Sequence, residues 1–176
     1  MSQRSPELKL TGDWSEFLRL LQKHRVRFII VGAHALAAHG RPRFTGDLDV
    51  FVNATPANAR RIYGALCDFG VGALVEERFF AAPDLTGAAG LTIGVPPMRL
   101  DILKSISGVT FDEAWRSRVS ARFEGKPVAV IGLAAYVKNK RAAGRTKDLL
   151  DLALLEEGGI VAARPPSRRK TRSRRR

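Results

Sequence analysis

One cysteine, Cys67, stands in a chain of 176 residues. A single thiol excludes an internal disulfide and a zinc site built on cysteines, and it fits a reducing cytoplasm. It falls within a helical pattern and reads as a small core residue. No run of eighteen apolar residues occurs, which excludes a membrane-spanning helix. The first six residues, Met1-Ser-Gln-Arg-Ser-Pro6, carry no apolar stretch, so no secretory leader is expected. His34 and His39 stand five apart, off the i, i+4 spacing of a zinc pair on one helix. No internal repeat is found. Acid is short relative to base: 17 Asp and Glu face 30 Lys and Arg, for a net charge of +13.

The excess is concentrated. The segment Arg164-Pro-Pro-Ser-Arg-Arg-Lys-Thr-Arg-Ser-Arg-Arg-Arg176 holds eight of those net charges and no acid, leaving five on the body. Such a block buries no apolar surface and is expected to be disordered. Its cations Arg168, Arg169, Lys170, Arg172, Arg174, Arg175 and Arg176 would attract a phosphate backbone without reading bases; the alternative is a tail that only solubilises. The whole chain is 45% apolar, enough for one core. The division expected is a flexible N-terminus over 1–12, a single domain over 13–159 and a tail over 160–176.

Trp14, Phe17, Leu18 and Leu21 recur at helical spacing and predict a helix over 13–24 with Asp13 as its cap. A strand over 27–31, a short Ala-rich helix over 33–39 closed by His39, and a strand over 47–52 follow. Thr55-Pro56 opens a helix whose core face is Ile62, Ala65, Leu66 and Phe69, ended by Gly70. Short strands are expected near 73–75 and 78–80, then a loop over 81–89. Residues 91–95 and 98–103 read as strands, 110–116 as a helical turn, and 119–123 with 128–131 as a hairpin around Gly125-Lys126-Pro127. Helices over 133–143 and 146–157 close the domain, the second capped by Thr146 and packing through Leu149, Leu150, Leu152 and Leu155. The sum is an α+β fold: a mixed sheet flanked by helices, with a C-terminal helical pair and a disordered basic tail.

The chemistry lies in acids on strands. Asp47 and Asp49 are two apart in a strand and share a face. Side by side they repel, and a divalent cation held by hard oxygen ligands resolves the repulsion. Asp101, one acid among apolar residues, completes a cluster if its strand lies beside 47–52; alternatively it pairs with an arginine. Three such carboxylates suit one or two Mg²⁺ ions in phosphoryl or nucleotidyl transfer. Gly32, Ala33 and His34 join strand to helix and offer backbone N–H groups to a phosphate. Arg43 and Thr45 are candidates for phosphate oxygens, or else a surface arginine and a turn threonine. Lys138 or Lys140 could reach a triphosphate from a loop dense in cations that also includes Lys147. Asp148 and Asp151 also suit the first turn of a capped helix.

The pattern Val31-Gly-Ala-His-Ala-Leu36, then Arg43-Phe-Thr45-Gly-Asp47-Leu-Asp49, then a lone strand aspartate resembles the nucleotidyltransferase superfamily of the DNA polymerase β type. The stretch Asn139-Lys-Arg-Ala-Ala-Gly-Arg-Thr-Lys-Asp148-Leu-Leu-Asp-Leu152 looks more specifically like the small prokaryotic AbiEii/MenT-like group, which includes toxins of type IV toxin–antitoxin pairs. The resemblance spans about residues 26–157. It implies Mg²⁺ at Asp47, Asp49 and Asp101, an NTP triphosphate at Gly32-Ala33, and functional roles for Lys140 and Asp148. Ala33 stands where the family carries Ser or Gly, which removes a hydroxyl ligand and leaves the backbone N–H groups. The implied activity transfers a nucleoside monophosphate to a hydroxyl on tRNA, another RNA or a protein, with Asp101 as general base. A cognate antitoxin is the partner expected of a toxin. The alternative is a catalytically silent nucleic-acid-binding module on the same fold.

Overall fold

The computed structural model describes residues 5–10, 12–83 and 90–162. The apolar run before Gly32 forms β1 (Phe28–Ile30), and all three residues are buried. The strand that carries the paired aspartates is β2 (Asp47–Val52). It lies antiparallel to β1 and parallel to β4 (Arg99–Leu103). The edge strand β3 (Gly90–Ile93) runs antiparallel to β4. On the other side β1 meets β6 (Lys126–Val130), which forms a hairpin with β5 (Val119–Phe123). One six-stranded mixed sheet results, in the order β3-β4-β2-β1-β6-β5. The α+β expectation holds.

Among the described residues, six helices accompany the sheet: α1 (Gly12–Lys23), α2 (Gly32–Ala38), α3 (Pro56–Asp68), α4 (Phe111–Arg116), α5 (Leu133–Ala143) and α6 (Thr146–Glu157). Alternation along β2 divides its side chains. Leu48, Val50 and Val52 take one face and are fully buried. Asp47 and Asp49 take the other. Thr55 caps α3 by accepting the Asn58 N–H at 3.3 Å, with Pro56 at the first helical position as expected. His39 closes α2, and its Nε2 lies 2.8 Å from the Ile131 carbonyl.

Several expectations need correction. The segments near 73–75 and 78–80 are 3₁₀ turns, Gly72–Leu74 and Glu77–Phe80, not strands. They pack against α3 and satisfy their backbones locally, as in Phe79 N–H to Glu76 O at 2.9 Å. The hairpin turns at Glu124-Gly125, one step earlier than expected, because Lys126 and Pro127 already pair with Phe123 and Arg122. Residues 6–10 are not loose: Leu8 donates to the Arg122 carbonyl at 2.7 Å, and Leu8 and Leu10 are buried. Cys67 is exposed rather than core.

Helix α6 departs most from its reading. Leu149 and Leu150 are 55% and 59% exposed. The inward stripe is Asp148, Asp151, Leu152 and Leu155, which is the i, i+3, i+4, i+7 pattern of one helical face. Two aspartates take core positions because cations from elsewhere in the chain meet them there. The cap is Arg145, not Thr146: its backbone N–H donates to Asp148 Oδ2 at 3.2 Å.

Candidate active site

Parallel pairing of β2 with β4 sets Asp49 opposite Asp101 and Asp47 opposite Arg99. Neighbours in register share a face, so three carboxylates and one guanidinium form a square on the sheet. Arg99 bridges two of the carboxylates. Its Nη2 donates to Asp47 Oδ2 at 2.7 Å, and its Nε donates to Asp101 Oδ2 at 3.0 Å. The other Asp101 oxygen accepts from Thr92 Oγ1 at 2.7 Å. The Thr45 hydroxyl donates to Asp47 Oδ1. Of the three carboxylates, that of Asp49 alone accepts no hydrogen bond among the described residues. Burial first, then the charges of Asp47 and Asp101, push its carboxyl up to about 6.

Gly32 follows directly from this crowding. It sits at φ +64, where L side chains are strained, and a Cβ there would lie 2.0 Å from Asp49 Oδ2. Only glycine lets the chain pass the carboxylate and begin α2. Ala33 is buried beneath that turn. His34 packs edge-on to Trp14 with ring centroids 5.3 Å apart. Burial, partly opposed by Asp47, lowers its pKa.

A second layer of charge comes from α5 and α6. Lys140 is 6% exposed and reaches Asp148 Oδ1 at 2.9 Å and Asp151 Oδ2 at 2.8 Å, which are 1% and 0% exposed. Arg43 Nε donates to Asp151 Oδ1 at 2.6 Å, and Tyr136 Oη donates to Asp151 Oδ2 at 3.0 Å. Arg145 Nε meets Asp148 Oδ2 at 2.8 Å. The result is an alternating chain, Arg43, Asp151, Lys140, Asp148, Arg145. Burial pushes both aspartates up. Hydrogen bonds from Arg145 and Lys140 to Asp148, and from Arg43 and Lys140 to Asp151, outweigh it and hold both carboxyls below the usual range. The Tyr136 hydroxyl is pushed up by burial and then by Asp151.

A cleft of about 310 Å³ opens beside Asp49. Gly32, Lys140 and Arg145 line it, together with Ser105, Ser107 and Asn139. It lies toward the end of β4, past Leu103. The loop that bears Arg43 and Thr45 lies at the other end of the square, before Asp47.

The sequence-derived candidates divide accordingly. Asp47, Asp49 and Asp101 share one face; Gly32 and Lys140 border the cleft with Asp49. Arg43 and Asp148 are committed to buried ion pairs. Lys147 is exposed on α6 and Lys138 pairs with Glu113 at 2.7 Å. The cations from Arg168 to Arg176 lie outside the described residues. Sequence reasoning missed Arg99, Arg145 and Thr92 and did not assign Asp151 to the site. Arg99 was readable, since a residue two before Asp101 on a strand shares its face.

As the side chains stand, no three His, Cys, Asp or Glu groups among the described residues gather closely enough to hold a metal ion. Arg99 explains this, because Asp47 and Asp101 both turn to its guanidinium. The donor chemistry nonetheless fits a hard divalent cation: three carboxylates share one face, and one of them, Asp49, is raised by burial and by the other two and has no donor among the described residues.

No family profile matches the chain, and no curated protein matches it. Among solved structures, the crystal structure of a proposed nucleotidyltransferase from Thermotoga maritima aligns at 14% identity with a TM-score of 0.47, over 81% of this chain and 94% of that one. No helix among the described residues is long and apolar enough to cross a membrane.

Proposed function

We propose that the chain is a Mg²⁺-dependent nucleotidyltransferase that moves a nucleoside monophosphate from an NTP to an acceptor hydroxyl. One observation carries the reading: Asp49 and Asp101 stand in register, with Asp47 two residues before Asp49, and Asp49 borders a cleft lined by Lys140 and Arg145. The motif resemblance across the body agrees with it.

In this reading Asp47, Asp49 and Asp101 hold one or two Mg²⁺, which supply neutralisation of charge on the reacting phosphates. The NTP lies in the cleft, with its triphosphate toward Gly32, Lys140 and Arg145. Lys140 has three donors and gives two to aspartates, which leaves one for a phosphate oxygen. Arg145 is the more accessible cation and offers the planar fork that suits phosphate. His34 and Ala33 contribute position at the turn. The acceptor oxygen forms a bond to the α-phosphorus as the bond to the bridging oxygen breaks. The hydroxyl proton passes to a carboxylate of the acidic face, Asp101 being the general base, and pyrophosphate leaves. Asp148, Arg43 and Thr45 hold these groups in place rather than touching substrate.

The acceptor is proposed to be RNA, with the Arg-rich tail adding affinity that falls with salt. Its finer form, a type IV toxin with a cognate antitoxin, is tested by expression: wild type arrests growth and Asp49→Asn does not.

Incubation with each radiolabelled NTP, Mg²⁺, total RNA and cell extract is the direct test. Label is expected in RNA, and none with Asp49→Asn or with chelator. Failure of the wild type to bind any NTP and to transfer label in any fraction would sink the enzyme reading. The rival is a silent nucleic-acid-binding module. The Arg99 bridge favours it, since two carboxylates already have a counter-ion. RNA binding by wild type that chelator leaves unchanged, without transfer, is its signature.

A further inference from the structure

We infer that Phe44 is a stacking platform for an unpaired base of a single-stranded nucleic acid acceptor. The inference rests on the nucleotidyltransferase reading and adds to it a residue that recognises the acceptor. Single exposed apolar side chains are ordinary on protein surfaces, so the 88% exposure of Phe44 says little alone. Its setting says more. Arg43 is anchored to buried Asp151 by two hydrogen bonds, at 2.6 and 3.3 Å, and its Nη1 also donates to the Phe44 carbonyl at 3.1 Å. On the other side Thr45 donates to the carboxylate of Asp47. The backbone of Phe44 is therefore clamped at both neighbours by groups of the site, while the ring stands in solvent. Among the described residues no aromatic ring or cation packs on it.

Position then selects the occupant. The cleft opens beyond Asp49, at the Leu103 end of the acidic face. Phe44 stands three residues before Asp47, at the opposite end. An NTP in the cleft leaves that end for the acceptor. A phenyl ring has no hydrogen-bonding groups with which to read a sequence, but every base offers a π face to it. Bases inside a duplex are already stacked, so an unpaired base is the partner that fits. The surplus of positive charge on the chain suits a phosphate backbone.

The test uses the full chain and a short single-stranded RNA at raised salt, where the electrostatic share is suppressed. Phe44→Ala and Phe44→Leu are expected to weaken binding about five- to a hundredfold, the range for one base stacked on an aromatic ring. Phe44→Trp is expected to retain affinity, and its fluorescence should be quenched by the single strand but not by the matching duplex, over the background of Trp14 and Trp115. NTP affinity measured by calorimetry should be unchanged in all three variants. Wild-type affinity in Phe44→Leu, or an unquenched Trp with RNA bound, overturns the stacking and leaves the enzyme reading standing if NTP still binds. Label transferred to protein alone, lowered by Phe44→Leu, overturns the nucleic acid acceptor. Absence of NTP binding in wild type removes both readings together.

Discussion

Replacing Lys140 with methionine tests whether the buried charge chain holds α5 to α6. Methionine keeps the length and apolar stem of lysine and removes the charge. Asp148 and Asp151 then share one cation fewer, at sites 1% and 0% exposed. Removal of one partner from a buried ion pair costs about 3–5 kcal/mol. Here each aspartate keeps a second cation, Arg145 at 2.8 Å and Arg43 at 2.6 Å. The loss therefore falls at the low end, about 3 kcal/mol. For a chain of this size that lowers Tm by roughly 6–12 °C. Urea unfolding across pH supplies the sharper check. Both carboxyls are held below their ordinary 3.8 in the fold, so their stabilisation is present above that pH and is lost as pH falls through the folded values. The gap between wild type and variant should be full at pH 7 and narrow below about pH 4, where protonated aspartates no longer need a cation. A deficit under about 1 kcal/mol at pH 7, or one that ignores pH, refutes the account and frees Lys140 for a purely ligand-binding role.

Asp49 should behave in the opposite sense. Its carboxyl is raised from 3.8 to about 6, so its ionised form opposes folding, and that cost grows as pH rises from about 4 through 6. Asp49→Asn is expected to match wild type near pH 4 and to exceed it by on the order of 2–3 kcal/mol at pH 8; equal urea midpoints at pH 8 would contradict this. Added Mg²⁺ should close that gap by stabilising wild type and leave the variant unmoved, read by thermal melts. Gly32→Ala should lose at least about 1–2 kcal/mol from its left-handed backbone alone, with a further loss from contact with Asp49. The double variant Gly32→Ala/Asp49→Ala should recover only the second part, and full recovery would show that φ is not the constraint.

The sheet was largely legible from the sequence because its signals are local. Val50 and Val52 alternate with the acids, Thr55-Pro56 marks a helix start, and the 133–143 and 146–157 helices keep their limits to the residue. The shared face of Asp47 and Asp49 follows from strand period. Its partnership with Asp101 required β4 to lie beside β2, which periodicity alone does not decide. What failed was long-range. Arg43 and Asp151 are 108 residues apart in sequence, and nothing near either one announces the other. Without that pair, Leu149 and Leu150 look like the core of α6, since a leucine is ordinarily a better core residue than an aspartate. The exposure of Cys67 and the 3₁₀ turns beside α3 were likewise settled by packing, not by propensity.

Arg99 carries a consequence for how the protein comes into being. Small domains built around a structural ion often cannot fold until the ion arrives. Here the chain brings its own positive charge to the acidic face, on the same strand as Asp101 and opposite Asp47. Two of the three carboxylates share its single positive charge. The sheet therefore leans less on a cation from its surroundings, and the same arginine becomes the competitor that any incoming cation must displace.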